Sequence, residues 1–365
     1  MYQFYRRHRR DLNIHLSKMN RWRRYLYLLV DDLNGTYPLR RINASNLFFA
    51  RNQVNRVNEA LTIEETPLPR PHLSFTPSQD RGRLEFFGFF GHGRKKSYLA
   101  AVDFDGVSYM YDVERRTMHE IASPNEYKCC DPVSLAVGDA LYVMDREPVP
   151  SNQRSFEALI VDLPNDVLFK PNSTWHCLQP LPFVLETGYK GRFIIGAYTV
   201  AGGSNILIST PGIGTYSFDT SSCSWRKAGD WELPFRDRAD FFPEHGVWLG
   251  FSSQDNLLCS SSDITAPAQG APTLDMVWED LNPPCCWDPL KSHLVYLGSN
   301  KFCVAKFFER VVNVENNQVC IPVIERFVVF TGLVLKPTTD HKGLVMLKQR
   351  SHIYRFEGVT TCWVF

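Results

Sequence analysis

The sequence lacks any long apolar run. The longest near the N-terminus, Tyr25-Leu26-Tyr27-Leu28-Leu29-Val30, holds six residues, whereas a helix crossing a bilayer needs roughly 20, so no membrane anchor is expected. Net charge is nearly absent too, 40 Lys and Arg standing against 39 Asp and Glu, and a body so balanced is not expected to bind nucleic acid. The ten cysteines contain no C-x-x-C, and the ten histidines no pair at metal-ligand spacing within one element. These absences speak against a zinc ribbon, a thioredoxin-type motif and a resident metal, and no cofactor is expected. Cys129-Cys130 and Cys285-Cys286 are adjacent pairs; read as strand neighbours, their side chains point to opposite faces, which disfavours a shared soft metal. Phosphate-binding loops are missing as well. Gly91-His92-Gly93-Arg94-Lys95-Lys96 reads as a basic hairpin loop and not a Walker sequence, and Gly212-x-Gly214 has neither a third glycine nor a following helix.

The stretch after Met1 is polar and Arg-rich where a secretory signal would be apolar. The expectation is an intracellular protein with reduced thiols, not a secreted one. Charge is concentrated there: residues 1 to 41 carry ten Lys or Arg against Asp11, Asp31 and Asp32, a balance of +7, so the rest of the chain sums to −6. Residues 1–21 are therefore read as a basic arm. Its two clusters, Arg6, Arg7, Arg9 and Arg10, then Arg21, Arg23 and Arg24, are separated by ten residues and resemble a bipartite nuclear import signal read by a carrier. An organellar transit peptide and a plain solvated tail are the alternatives, so nucleus or cytoplasm is favoured with an organelle next.

What the sequence has is aromatic and β-branched material. Aromatics make up 13% of the chain, enough to fill a large core and to argue against general disorder. Short Val-, Ile-, Tyr- and Phe-rich runs alternate with Gly, Asn, Asp, Ser and Pro breaks, among them Tyr25 to Val30, Pro38 to Ile42, Ser97 to Phe104, Val107 to Asp112, Ala140 to Met144, Ala158 to Asp162, Asn205 to Ser209, Ile213 to Asp219, Val247 to Ser252, Phe302 to Phe308, Glu325 to Leu335, Leu344 to Gln349 and Ile353 to Phe356. An all-β fold follows. Thr66 to Pro77, with four prolines, reads as a linker or an excursion between strands, Ala50 to Ala60 as a helix-compatible segment, and Ala266 to Pro272 as a surface loop.

One unit recurs. Gly202-Gly203 precedes a strand; Tyr216-Ser217-Phe218-Asp219 ends the next; Trp225 follows six residues after the Asp; Leu233-Pro234 closes the unit. A second copy has Asp112 with Met118 six residues on, in the tryptophan position, and a third has Asp162 with Trp175 delayed by an insertion. The three aspartates lie 50 and 57 residues apart, near the period of about 50 expected of kelch units. Trp175 and Trp225 fit places where one unit packs on its neighbour, with burial worth about 2–3 kcal/mol each.

This order of motifs resembles the kelch repeat. More closely, Arg23 to Asp32, Gly229-Asp230-Trp231-Glu232-Leu233-Pro234-Phe235 and Leu297 to Ala305 resemble a large uncharacterised family of grass plants with a degenerate kelch-like propeller. The resemblance implies a kelch-like β-propeller over residues 22–358, with six blades expected and seven the alternative, and a C-terminal tail at 359–365. Closure commonly has one terminus complete a blade begun by the other, and the Tyr25 strand is the candidate. Since no catalytic constellation is visible, the function expected is that of a non-enzymatic scaffold presenting propeller loops to a protein partner. The alternatives are an enzyme with a central-channel site, like the copper radical oxidases of similar fold, and a kelch-type adaptor without its own F-box.

Overall fold

The structure is a computed structural model that describes residues 23–32, 34–49, 63–79, 82–90, 98–128, 131–162, 172–186, 193–265, 270–279, 283–316, 319–338, 343–357 and 362–365. The basic arm through Trp22, Ala50 to Ala60, the Gly91 to Lys96 loop, Cys129-Cys130 and most of the Ala266 to Pro272 loop lie outside these residues. Among the described residues the chain is all-β with no α-helix, and two short 3-10 turns, Ala44–Leu47 and Pro182–Leu185, interrupt the strands. Two compact units divide it: Met1–Phe75 with Trp278–Phe365, and Thr76–Val277.

The Thr76–Val277 unit is a series of antiparallel meanders. The first is β5 (Leu84–Phe90), β6 (Tyr98–Asp103), β7 (Ser108–Asp112) and β8 (Thr117–Ile121); the second is β9 (Val133–Val137), β10 (Ala140–Met144), β11 (Phe156–Asp162) and β12 (Asn172–Cys177). The third is β13 (Ala197–Ala201), β14 (Asn205–Thr210), β15 (Gly214–Asp219) and β16 (Ser224–Gly229), and the fourth β17 (Phe235–Phe242), β18 (Val247–Ser252), β19 (Leu258–Ser261) and β20 (Met276–Trp278). The first strands of these last two, β13 and β17, pair in parallel and fuse them into one eight-stranded sheet.

Alternation along each strand makes this stacking work, because successive side chains face opposite sides and both sides are covered. In β11, Leu159 and Val161 enter a core shared with Val102 and Met110 of the preceding meander, while Phe156 enters the next core with Ile206, Ile208 and Phe218. A third core sets Ala197 and Leu207 against Phe235, Trp248 and Cys259. Each meander is thus glued to its neighbour by residues of alternate parity.

The other unit holds two sheets. One joins both ends of the chain: β1 (Tyr25–Val30), β2 (Tyr37–Asn43) and β4 (Pro71–Phe75), with β25 (Cys362–Val364) on the outer side of β1 through Leu28↔Val364, Leu29↔Trp363 and Val30↔Cys362. Residues 362–364, expected within a tail, are therefore a buried strand, and the N-terminal strand is completed by the C-terminal one. Residues 71–75, expected within a linker, form an edge strand opened by proline, the position a strand tolerates it. The second sheet is β21 (Asp288–Gly298), β22 (Lys301–Asn316), β23 (Val319–Pro337) and β24 (Leu344–Phe356), with β3 (Ile63–Glu65) parallel on β24. The two runs expected at 344–349 and 353–356 are one strand.

This unit is closed by a tight approach. The Asn43 side chain accepts from Ser45 N at 3.1 Å and starts the 3-10 turn, whose Leu47 carbonyl lies where a Cβ on Gly332 would sit. Cys285 and Cys286 are not in a strand either; they form the exposed centre of a turn ahead of β21.

Candidate interaction surface

The repeat positions turn out to hold turns and neighbours. Asp112 ends β7 and its Oδ1 accepts from the backbone N of Glu114 and of Arg115, each at 2.9 Å. Asp219 ends β15 and its Oδ1 accepts from Ser221 N at 2.9 Å and from the Ser221 hydroxyl at 2.6 Å, hydrogen bonds that hold its carboxyl below the usual range. Four residues after each, Arg116 and Cys223 adopt positive φ, 58° and 51°. The two aspartates thus cap the same turn in different meanders, which is what short Asp side chains do well. Asp162 is exposed and opposite Asn172. Gly202 and Gly203, at φ 58° and 77°, make the β13–β14 turn, a double positive φ that favours glycine. Tyr216 is buried, 5.6 Å from the Phe183 ring.

The tryptophans act as straps between meanders. Trp175 in β12 donates its indole N–H to Ala122 O at 2.8 Å, and Trp225 in β16 donates to Gln179 O at 2.8 Å. Both acceptors follow the last strand of the preceding meander. Both indoles are half-buried, short of the core burial expected, and Met118, lacking a donor, is 41% exposed.

A buried ionic cluster lies at one end of the second meander. Lys128 and Glu157 are fully buried, with Nζ 2.5 Å from Oε2, and Glu157 also accepts from Asn125 N at 3.1 Å, Asn125 Nδ2 at 2.6 Å and Glu126 N at 3.3 Å. Nearby Asp145 accepts from Asn152 Nδ2 at 2.8 Å, and burial pushes its carboxyl up to about 7, against the pull of Lys128. Next in sequence, Arg146 pairs with Asp237, at the bulge of β17, and lies 3.7 Å from Asp131. With the ion pair sealed and its donors satisfied, this cluster is a structural clamp. Among the described residues no group of three His, Cys, Asp or Glu side chains is placed to hold a metal.

The surface best suited to a partner is a β-ribbon that sequence reading missed. β21 pairs with β22 as far as Asp288↔Glu309, and β24 with β23 as far as Phe356↔Arg326. Beyond them β22 and β23 continue to pair, from Arg310↔Glu325 to Asn316↔Val319, a reach of about 20 Å at roughly 3.3 Å per residue. Val311 is 65% exposed, Ile324 54% and Val323 43%. The root is neutral: Arg326 Nε lies 3.1 Å from Glu309 Oε2, Arg310 Nε lies 2.5 Å from Glu325 Oε2, and Arg355 pairs with Glu325 and, through Nε at 2.7 Å, with Glu65 Oε1.

Its two edges differ. Pro322 stands opposite Asn313 and has no N–H, so this pair is one whose backbone groups turn outward. By the same parity Glu309, Val311 and Asn313 of β22 direct their backbone N–H and C=O to the side that β21 occupies as far as Glu309. Among the described residues no strand pairs with that edge beyond Glu309. On the β23 side proline removes a donor and blunts the edge.

Of the basic positions, Arg6, Arg7, Arg9, Arg10 and Arg21 lie outside the described residues. Arg23, read from the sequence as part of the second basic cluster, is half-buried: its backbone N donates to Leu297 O at 2.5 Å, its guanidinium lies 5.7 Å from the Tyr27 ring, and burial lowers its pKa. Arg24 is exposed. No described helix is long and apolar enough to cross a membrane.

Stacked meanders of four strands in one unit, and a sheet with a projecting ribbon in the other, define an all-β protein. The chain belongs to the family described as "Protein of unknown function (DUF1668)", whose model matches residues 23–354. No curated protein matches it by sequence. Among solved structures it is similar to the β-propeller domain of Cps50 (Swd1) from Myceliophteria thermophila, at 10% identity and TM-score 0.40 over 90% of this chain and 85% of that one. It is also similar to a protein from Lactobacillus plantarum, at 12% identity and TM-score 0.43 over 93% and 99%, and to BamB from Moraxella catarrhalis, at 11% identity and TM-score 0.30 over 80% and 97%.

Proposed function

We propose that this chain is a non-enzymatic protein-interaction scaffold, a kelch-like β-propeller of six blades: the four meanders and the two sheets of the other unit. The shared turn caps at Asp112 and Asp219, the shared straps at Trp175 and Trp225, and the joining of β25 to β1 support the kelch-like reading. One observation carries the interaction role: an apolar ribbon with an open backbone edge at Val311 and Asn313. The partner is a protein that lends an extended segment, antiparallel to β22 and in line with β21, as in strand addition. Because the root charges cancel in pairs, that segment is uncharged where it lies against Val311 to Asn313, with β-branched residues suited to the ribbon.

The protein acts inside the cell, in nucleus or cytoplasm, with Arg6 to Arg10 read by an import carrier. Proximity labelling from a fusion in the native cell tests partner and compartment together. A reproducible set of neighbours in nucleus or cytosol supports the reading; labelling no richer than that of the free labelling enzyme contradicts it. Bound copper and turnover of an oxidisable substrate by the purified protein would replace it with an enzyme.

A further inference from the structure

Cys285 and Cys286, just ahead of β21, have chemistry of their own. Trp287 N donates to Pro284 O at 3.0 Å, which makes Pro284 to Trp287 a hydrogen-bonded turn with the two cysteines at its centre. Neither cysteine has a positive φ, so the turn is type I, in which both central residues sit near the right-handed helical region. In a strand the two side chains would diverge to opposite faces. In this turn they are the two adjacent central residues, and both thiols are free and exposed.

The turn is held from both ends. Pro283 and Pro284 fix the backbone before it, and after it Trp287 is packed 4.6 Å from the Phe327 ring and 5.3 Å from the Phe308 ring. A dithiol on such a turn loses little conformational freedom when one atom bridges it, which is the advantage of preorganisation. Soft thiolate donors select soft acceptors, and with only two donors the acceptor must be one satisfied by a pair of sulfurs. A pyramidal trivalent arsenic centre meets that requirement, whereas a structural zinc ion needs four ligands.

We propose that Cys285 and Cys286 form a dithiol site that captures trivalent arsenicals. With an organic arsenoxide the step is a condensation: two As–S bonds form, the As=O oxygen leaves as water with the two thiol protons, and no atom changes oxidation state. Chelation by two sulfurs of one turn makes the adduct resist a monothiol, which must displace both, while a small dithiol removes it.

The test uses the full-length protein and phenylarsine oxide at one equivalent, with intact mass read in the presence of excess glutathione. The expected result is one adduct that survives glutathione and is stripped by a small dithiol. It is lost in Cys285→Ser and in Cys286→Ser and kept in the Cys129→Ser/Cys130→Ser double variant. Because both turn thiols are exposed, the single variants keep the parent's melting temperature, which shows that loss of the adduct is not loss of the fold. Absence of the adduct, its persistence in either single variant, or its loss in the Cys129→Ser/Cys130→Ser variant overturns the proposal.

Discussion

The indole N–H of Trp175 reaches 2.8 Å to the carbonyl of Ala122, and 50 residues later Trp225 does the same to Gln179. In both cases the last strand of one meander is tied to the chain leaving the one before it. Replacing Trp175 or Trp225 by Phe keeps most of the ring contact and removes the donor, leaving a carbonyl without its partner. Each variant is expected to lose about 1–2 kcal/mol, and chemical denaturation reads it; a change indistinguishable from zero in both would mean the indoles are surface decoration.

The clamp at Lys128 and Glu157 makes a larger demand. Removing one member of a buried ion pair strands the other, so Lys128→Met is expected to cost about 3–5 kcal/mol, and Lys128→Met/Glu157→Gln to cost less than the single change. The comparison is between two denaturation curves, and the account fails here if the double variant is the weaker protein.

Asp145 sets a pH dependence. Burial raises its carboxyl to about 7, whereas an unfolded aspartate titrates near about 4. The native state therefore holds this proton more firmly. The stabilising contribution is complete below about pH 4, falls as pH climbs through the interval, and is lost above about 7. Asp145→Asn cannot titrate, so between about pH 5 and pH 8 the parent should lose about 1–2 kcal/mol more than the variant, a figure discounted for partial solvent access. Parallel stability profiles for the two proteins would contradict the assignment.

Gly332 tests the packing of the unit that holds both chain ends. A methyl group there meets the Leu47 backbone carbonyl, which the 3-10 turn cannot easily move. Gly332→Ala is expected to cost about 2–4 kcal/mol, seen as a lowered melting temperature.

What the sequence made legible is local. The Asp112 and Asp219 caps could be read because turn chemistry depends on a few neighbouring residues, and Tyr25 to Val30, Ala140 to Met144 and Val247 to Ser252 coincide with their strands. Misreadings fall where a distant partner decides. Cys362–Val364 is a strand because Leu28 to Val30 offers it a ladder, and nothing in its own three residues says so. The ribbon was hidden because Asn313, Glu315, Asn316 and Pro322 carry turn and loop propensities, so the mixed stretch between Phe308 and Glu325 reads as a break. Pairing with each other overrides those preferences. The exposed valines and isoleucine, set among polar residues, were the available signal.

The scaffold reading rests most heavily on the open edge of β22, and Asn313→Pro addresses that edge alone. Asn313 faces Pro322 in a pair whose backbone groups turn outward, so the substitution removes an outward donor without breaking a ribbon hydrogen bond. The decisive measurement compares proteins cross-linked to the parent and to Asn313→Pro in the native cell, at matched abundance and matched melting temperature, with a copy of the chain itself counted among the candidates. The account predicts that at least one cross-linked protein other than the chain itself is lost or reduced about tenfold, the effect of roughly 1.4 kcal/mol. An unchanged set of partners, or loss confined to a second copy of the chain, would contradict it.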